Sequence, residues 1–426
     1  MGNILKSELD CTCAEFLERV YGPRSKPCAE AVKTMFSSVL TRSSTLVKEL
    51  SVPLRADNGK TEVKRMQEMV SRWLWNYDLD ARLRPYLLDS AAGLVGERTT
   101  LAVDFSDISK EFGGAGMEGM EEGWDGSRGC TAMGHDFISV SIVGADHRDA
   151  LPVYAKLGRG RHQKDDLLRT AISAVMERTG GRGWLVADRG MDDARFIHAM
   201  KRDGRTAVIR IKDMRRDVFG NGRTIDAALA DLAFGKAHLN TYRGAIRAEV
   251  RCAVGVMQYC ADPHSKNAPV HRIGLLVVES RFGGKSIYLH VVCPDAVIDD
   301  PSLAWEYAVH AAQAYCDRWQ IETSFQTVKQ EFRLEEARVR KFRRLVNIFD
   351  LCILAYVFMI RFLRSSGRFG RIVKVLGDNV ETLAFRTHSL LCGIRELYRA
   401  GRVRFISGRP RKRTVPDGVQ LLLSLE

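Results

Sequence analysis

The stretch that decides the fold is residues 183–212, GWLVADRGMDDARFIHAMKRDGRTAVIRIK. It begins with a short apolar run of strand type, GWLVADRG, and it ends with another, TAVIRIK. Between the two runs, MDDARFIHAMKRDG has the composition of a helix, with Asp192 near its start and Gly204 at its end. The stretch therefore predicts a strand, a helix and a second strand in succession.

Three more strands and one helix are predicted before this stretch. TTLAVDFSD, which starts at Thr99, is a short apolar run, HDFISVSIVG at 135–144 alternates with period two, and LPVYAKL follows at 151–157. KDDLLRTAISAVMERTGG at 164–181 then adopts the 3.6-residue period of a helix and stops at two glycines. The order β-β-β-α-β-α-β predicts an α/β protein with a mixed sheet.

The regions outside this core differ in character. Residues 1–95 are predicted to be helical, because TEVKRMQEMVSRWLWNY has one apolar helix face. Basic residues lie between the apolar ones. This composition fits a DNA-contacting module and a plain helical bundle equally well. Residues 213–300 are rich in strands, with a turn signal at Gly283–Gly284. A long helix is predicted over about 301–333 and another over roughly 343–363. The expected division is a helical module at 1–95, a core at 96–212 and 301–365, a β-rich insertion at 213–300 and a basic region at 366–426.

The composition is that of an ordinary globular protein. Of the 426 residues, 45% are hydrophobic and 27% are charged, which excludes disordered, collagen-like and disulfide-scaffold proteins. The best candidate for a membrane span, 351–360, is about half as long as the roughly 20 apolar residues that a span needs. The first residues lack the apolar core of a signal peptide. We therefore expect a cytoplasmic protein without a membrane partner.

The formal net charge of +13 is concentrated in one segment. Residues 338–413 hold 19 Lys and Arg against four acids, so the rest of the chain is close to neutral. A basic segment on a near-neutral body suggests a polyanionic partner, most often nucleic acid. A solvated, solubilising surface has the same composition, so charge alone leaves both interpretations open.

The ten cysteines do not follow a metal-binding pattern. No CxxC pair occurs in the sequence, and no histidine before His135 accompanies the neighbouring cysteines at positions 11, 13 and 28. This spacing does not match a structural zinc site. We expect all ten to be reduced thiols of an intracellular protein.

The predicted helix containing YCDRWQIETSFQTVKQEF, residues 315–332, aligns four polar side chains. At about 100° per residue they share a stripe roughly 60° wide, beside an apolar stripe. The polar stripe comprises Tyr315, Arg318, Glu322 and Lys329, and the apolar stripe comprises Ile321, Phe325, Val328 and Phe332. The polar stripe fits a functional site, but it also fits an ordinary salt-bridge stripe, because Arg318 and Glu322 are an i,i+4 pair.

Two further acids favour the functional interpretation. Asp104 is predicted where the first strand ends, and Asp188 where the fourth strand ends. Ligands of open α/β sheets bind at the carboxyl ends of the strands, so these carboxylates and Glu322 are candidates to converge. Each Asp alone is more typical of a turn or a cap. Together the three could hold a pair of Mg²⁺ ions, which prefer oxygen ligands and serve phosphoryl transfer.

At this point the sequence resembles a known family. The spacing Tyr315, two residues, Arg318, three residues, Glu322, six residues, Lys329 is that of the Tyr-Arg-Glu-Lys signature of bacterial insertion-sequence transposases of family four. Other segments agree: VDFSDISK around Asp104, ADRGMDD around Asp188, and VIRIK with Arg210 and Lys212. The resemblance covers about residues 99–365 and is weakest in the C-terminal tail.

The resemblance implies an RNase H-like fold with a β-strand insertion before the last acidic helix. It implies that Asp104, Asp188 and Glu322 are the catalytic DDE triad and hold two Mg²⁺ ions, for which Mn²⁺ can substitute. In this chemistry water, and later a freed 3′-hydroxyl, attacks phosphodiesters without a covalent enzyme intermediate. Asp107, three residues after Asp104, is a further candidate metal ligand, whereas Asp192 and Asp193 are expected at a helix start.

The resemblance also implies contacts with DNA. Tyr315, Arg318 and Lys329 would hold a phosphate near the transposon end, a role that suits a bidentate cation and a hydroxyl donor. Tyr288 is the nearest match to an aromatic residue that stacks on a flipped base in some relatives, although a plain sheet aromatic fits equally. Arg189 is a candidate partner of DNA or of a carboxylate.

The function expected from these features is that of a cut-and-paste DNA transposase. It would work as a homodimer on double-stranded DNA, at the terminal inverted repeats of a transposon and at a target, in the bacterial nucleoid. The module at 1–95 would bind the transposon ends. Two alternatives remain: a structure-specific nuclease of the same fold, which needs the acids but not Tyr315 and Lys329, and a domesticated relic that only binds DNA.

Overall fold

The computed structural model describes residues 13–22, 26–42, 44–51, 60–110, 116–125, 129–144, 147–241, 244–260, 270–364, 387 and 390–395. The predicted basic region at 366–426 lies outside the described residues, apart from 387 and 390–395.

Within the described residues, one sheet of ten strands organises the protein. The strands are β1 (Thr100–Ser109), β2 (Glu121–Asp125), β3 (Cys130–Gly144), β4 (His147–Leu157), β5 (Trp184–Ala187), β6 (Ala207–Arg210), β7 (Gly235–Thr241), β8 (Gly244–Cys260), β9 (Val270–Phe282) and β10 (Lys285–Val292). Their order is β2-β3-β1-β5-β6-β10-β9-β8-β7, and β4 pairs with the edge of β3 that β1 leaves open.

Helices cover both faces of this sheet. They are α1 (13–21), α2 (Lys26–Arg42), α3 (Val47–Leu50), α4 (Lys60–Asn76), α5 (Asp80–Ala92), α6 (Lys164–Thr179), α7 (Ala194–Arg202), α8 (Ile225–Leu229), α9 (Asp295–Asp299), α10 (Pro301–Asp317), α11 (Trp319–Gln326) and α12 (Phe342–Arg364). None of the helices described is both long enough and apolar enough to cross a membrane.

The strands β4-β3-β1-β5-β6 form an RNase H-like core. The strands β4, β3 and β1 are antiparallel neighbours, whereas β1, β5 and β6 run parallel to one another. The predicted order β-β-β-α-β-α-β is confirmed, and α6 and α7 are its two helices. The short strand β2 was not predicted, because its sequence EEGWD has neither an apolar run nor an alternating pattern.

The β-rich segment after β6 extends the core sheet rather than forming a separate one. Strand β10 pairs antiparallel with β6, and β9, β8 and β7 follow as an antiparallel series. The turn between β9 and β10 is Gly283–Gly284, as the sequence predicts, and both glycines have positive φ angles of 56° and 74°. Such angles suit a two-residue hairpin turn, which glycine adopts without strain.

The central strands are buried on both faces, which explains their continuous apolar sequences. Leu185 and Ile209 belong to an apolar cluster that includes Ile197 of α7. Their chain neighbours Val186 and Val208 belong to a cluster on the other face that includes much of α10. The face covered by α10 is the one that presents the candidate site.

The N-terminal helices pack on α12, which is buried along most of its length. The rings of Phe16, Phe36 and Phe358 lie 5.3–6.1 Å apart, so α1, α2 and α12 share one apolar cluster. Residues 351–360, the apolar run that is too short to span a membrane, are all buried within α12. The predicted helix over roughly 343–363 is confirmed as α12.

The single long helix predicted over 301–333 is interrupted in the structure. Helix α10 ends at Asp317, α11 begins at Trp319, and Thr327–Glu331 form a π-turn. At the break the Ile321 N–H bonds the Arg318 carbonyl, a tight 3₁₀-type contact, and at the far end the Phe332 N–H bonds the Thr327 carbonyl. Packing determines where a helix tightens or widens locally. A regular 3.6-residue period carries no information about this, so the sequence predicted one continuous helix.

Candidate active site

Two of the three candidate carboxylates lie at the end of the parallel strands. The prediction that β1 ends at Asp104 is wrong, because β1 continues to Ser109 through its pairing with β3. Its parallel pairing with β5, however, ends at Val103 opposite Ala187. Asp104 and Asp188 are therefore each the first residue beyond the same parallel ladder. This places both carboxylates at the ligand-binding edge of such sheets.

Glu322 reaches the same place from α11 through Arg318. One guanidinium nitrogen of Arg318, Nη1, donates to Asp104 Oδ2 at 2.9 Å, and Nη2 donates to Glu322 Oε1 at 2.6 Å. Arg318 is 7% exposed, whereas the Glu322 side chain is 45% exposed. The i,i+4 salt bridge between Arg318 and Glu322 is thus present, as the sequence allows. The same guanidinium also binds Asp104, more than two hundred residues away in sequence.

Asp188 has its own partners on the neighbouring elements. The Tyr315 hydroxyl of α10 donates to Asp188 Oδ1 at 3.0 Å, and Arg210 Nη1 at the end of β6 lies 3.8 Å from the same oxygen. The Arg318 guanidinium lies over the Tyr315 ring at 5.4 Å. Tyr315 and Arg318 therefore link the three carboxylates into one constellation.

Burial and mutual repulsion perturb the ionisation of this group. Burial raises the pKa of Asp104 to about 6; Arg318 opposes the rise, whereas Glu322 and Asp188 add to it. Burial also raises the pKa of the Tyr315 hydroxyl. For Arg318, burial lowers the pKa, but Asp104, Tyr315 and Glu322 outweigh that effect and raise it. The guanidinium therefore stays charged, and its loss would raise the pKa of Asp104 further.

Lys329 lies farther along the same stripe, in a second charged group. Its Nζ is 3.2 Å from Asp107 Oδ1 and 3.2 Å from Glu335 Oε1. Asp107 also accepts hydrogen bonds from Arg161 and Ser109. Burial alone would raise the pKa of Asp107, but these partners lower it. Asp107 thus has three polar partners that engage both its oxygens.

The other predicted DNA-contacting residues lie around this constellation in different ways. Arg189 is exposed on the 3₁₀ turn directly after Asp188, and the Lys212 side chain is exposed just beyond β6. Tyr288 packs on the cluster that contains Ile209, whereas its neighbour Leu289 belongs to the cluster on the α10 face. Tyr288 is therefore not brought together with the carboxylates.

The donor set suits a hard divalent cation. Asp104, Asp188 and Glu322 supply only oxygen ligands, which Mg²⁺ prefers. The raised pKa of Asp104 reflects first the burial of its carboxylate and then the nearby charges of Glu322 and Asp188, and a bound cation would offset both effects. Among the described residues, no three acidic, His or Cys side chains stand as a closed metal cluster, and Arg318 lies between Asp104 and Glu322.

Sequence reasoning missed a buried group beneath this site. Asp193 is the N-cap of α7, as predicted, since its side chain accepts from the Arg195 and Phe196 N–H groups. Asp192 does not cap the helix: its side chain is fully buried and pairs with Arg216, beside His290. These three residues are far apart in sequence, and no spacing rule connects them.

An RNase H-like sheet with carboxylates beyond its parallel strands is typical of enzymes that process nucleic acids. The family model described as Transposase DDE domain matches residues 96–358, and the chain belongs to this family. The protein is therefore a DDE transposase, which binds DNA and acts in DNA recombination, and its family normally uses divalent metal ions. A comparison with curated proteins finds no match.

Proposed function

We propose that the protein catalyses cut-and-paste transposition: Mg²⁺-dependent cleavage at the terminal inverted repeats, followed by strand transfer into target DNA. The observation that carries this proposal is the joining of Asp104, Asp188 and Glu322 by Arg318 and Tyr315 at the end of the parallel strands. A plain nuclease needs the acids but has less use for a buried guanidinium and phenol among them.

Asp104, Asp188 and Glu322 are the proposed ligands of two Mg²⁺ ions, for which Mn²⁺ can substitute. The ions, when bound, supply an activated water or hydroxyl and stabilise the leaving oxygen of phosphodiester cleavage. Arg318 and Tyr315 donate to the three carboxylates in this structure, and their proposed role is to turn these donors to the scissile phosphate when the ions occupy the carboxylates. Burial restricts both side chains, so little further ordering is needed to position the phosphate.

Cations around the strand ends are the proposed contacts to the DNA backbone. Arg189 and Lys212 are exposed, and Arg210 is half-buried at the end of β6. Lys329 is proposed to hold the transposon-end phosphate, although it is shared between Asp107 and Glu335 in this structure. Because phosphate contacts position DNA without reading its sequence, these residues are expected to serve ends and target alike.

The N-terminal helices carry a second basic surface that supports end binding. An open groove of about 580 Å³ between α3 and α4 is lined by seven residues. They are Val47, Lys48, Lys64, Gln67, Glu68, Ser71 and Arg72. Three cations and two neutral polar side chains against one acid suit a phosphate backbone. We propose that residues 1–95 bind the transposon ends. The proposed catalytic core comprises 96–212 and 301–365, and 213–300 form the insertion. The proposed synaptic unit is a homodimer.

The test uses a linear DNA fragment that carries both ends of the element, incubated with Mg²⁺. The wild type is expected to break DNA at the repeat boundary, whereas Glu322→Gln removes a proposed ligand and should abolish cleavage but not binding. Glu177→Gln, the same change on an exposed face of α6, is the matched control and should cleave normally. Cutting unrelated to the repeats would favour the structure-specific nuclease, and retarded but uncut DNA with wild type would favour a binding relic.

A further inference from the structure

Asp192 is a buried carboxylate four residues after Asp188, at the base of the turn that carries Asp188. Its side chain is 0% exposed. Oδ1 accepts from Arg216 Nη1 at 2.6 Å, and Oδ2 accepts from the Lys212 backbone N–H at 2.8 Å. A fully buried carboxylate with a charged partner carries a large desolvation penalty, so the pair is weak evidence for stability, and the alternative hypothesis is a role in setting the local conformation.

The partners of Asp192 come from two other segments of the chain. Arg216 lies in the loop that leads from β6 into the β-rich segment, and its Nη2 also donates to the Asp192 carbonyl at 3.5 Å. His290, on β10, is fully buried with its Nε2 3.7 Å from Asp192 Oδ1. Burial lowers the pKa of His290 to about 4, so the positive partner of Asp192 is Arg216.

The turn between Asp188 and Asp192 is short and closed by backbone hydrogen bonds. The Met191 N–H bonds the Asp188 carbonyl at 2.9 Å, and the Asp192 N–H bonds the Arg189 carbonyl at 3.3 Å. Asp188 is the first residue of this turn, and Asp192 is its last. The two residues are thus joined by one hydrogen-bonded turn, so a shift of the Asp192 backbone also shifts the backbone of Asp188.

We propose that Asp192 and Arg216 form a positioning pair that sets the turn carrying Asp188, and so places its carboxylate against Tyr315 and Arg210. The pair touches neither DNA nor the reacting atoms; it acts through Asp188. This inference rests on the proposed function, in which Asp188 is a metal ligand. The proposal also gives the loop after β6 a role, because Arg216 of this loop connects the β-rich segment to the turn that carries Asp188.

The test measures Mn²⁺ binding to the full chain by calorimetry, beside DNA cleavage. Asp192→Asn keeps the shape of the side chain and removes its charge, and Arg216→Gln removes the cation. Each change is expected to weaken Mn²⁺ binding by about 10- to 100-fold, the usual effect of losing a group that orients a metal ligand. The double variant should lose no more than the stronger single variant, because both changes break one pair. DNA-end binding without metal should be unchanged.

Asp193→Ala is the matched control, since it removes the cap of α7 one residue away but leaves the buried pair intact. Its Mn²⁺ affinity should equal that of wild type. If Asp192→Asn does not fold, Arg216→Lys retains the positive charge, loses the forked contact and should give an intermediate affinity. Folded Asp192→Asn or Arg216→Lys protein with wild-type Mn²⁺ affinity would overturn the positioning role.

Asp188→Asn separates this outcome from a failure of the proposed function. If it weakens Mn²⁺ binding while the Asp192 and Arg216 variants do not, the positioning pair is refuted and the metal site stands. If Asp188→Asn also leaves the Mn²⁺ affinity unchanged, the proposed metal site fails and the positioning role fails with it.

Discussion

Asn347 of α12 fastens the connection between α4 and α5, and its replacement by Leu is expected to destabilise the protein. Its Oδ1 accepts from the Leu79 N–H at 3.0 Å, and its Nδ2 donates to the carbonyls of Leu74 and Tyr77, each at 2.9 Å. Asn347 is 1% exposed, so water cannot replace these bonds. Leucine has nearly the same size but makes none of them.

The magnitude follows from which backbone groups lose their partner. The Tyr77 carbonyl keeps contacts at 3.4 Å from Arg343, so the groups left without a partner are the Leu79 N–H and the Leu74 carbonyl. Each buried unsatisfied group costs about 1–3 kcal/mol. Burial of the leucine side chain returns about 1.5–3 kcal/mol. The two groups together cost about 4 kcal/mol and the leucine returns about 2 kcal/mol, so the free energy of unfolding is expected to fall by about 2 kcal/mol.

The assay is urea unfolding of the full chain at pH 7, with Asn76→Leu as the control. Asn76 is exposed at the end of α4, and its replacement should change the free energy of unfolding by no more than about 0.5 kcal/mol. Asn347→Asp should be less stable than Asn347→Leu, because it places a carboxylate oxygen against two carbonyls. An Asn347→Leu protein as stable as wild type would refute the assigned role of these hydrogen bonds.

Three further predictions concern a buried acid, the metal site and DNA binding. Burial raises the pKa of Asp350, so ionisation of this carboxyl opposes folding as pH rises. Asp350→Asn should therefore stabilise the protein more at pH 8 than at pH 5 in urea unfolding, and a loss of stability at both pH values would contradict this. Because Asp104 must lose its proton to bind a cation, Mn²⁺ affinity should increase with pH, and the midpoint of this increase should lie near pH 6, the pKa of Asp104. Glu322→Gln removes a charge that raises this pKa, so it should lower the midpoint. A pH-independent affinity would count against the site. DNA-end affinity should fall steeply between 50 and 200 mM salt in a filter-binding titration, because phosphate contacts release counterions; a flat response would contradict backbone binding.

Local periodicity was enough to predict much of the fold. The alternating segment at 135–144 lies within β3, and the 3.6-residue pattern at 164–181 became α6, which ends at Thr179 before Gly180. The i,i+4 spacing of Arg318 and Glu322 likewise produced a contact within one turn. Each of these features depends on residues close in sequence, so the sequence pattern contains the relevant information.

Pairing between distant segments decided what the pattern could not. Strand β1 continues past Asp104 because β3 supplies partners as far as Gly134, and β2 exists because it pairs with the start of β3. Lys329 pairs with Asp107 and Glu335, and neither partner was predicted. Lys329 lies in the π-turn and Glu335 lies beyond it, so a regular helical period does not bring them together.

The sequence by itself determined the class of fold, the residue types of the site and the order in which the strands carry them. Only the tertiary structure decided that Arg318 bridges Asp104 and Glu322, that Tyr288 lies on the other face and that Asp192 is paired with Arg216. The physical reason is that helix and strand periods are properties of neighbouring residues. The partners of a buried charge are chosen instead by which distant segments the packed sheet brings within hydrogen-bonding distance.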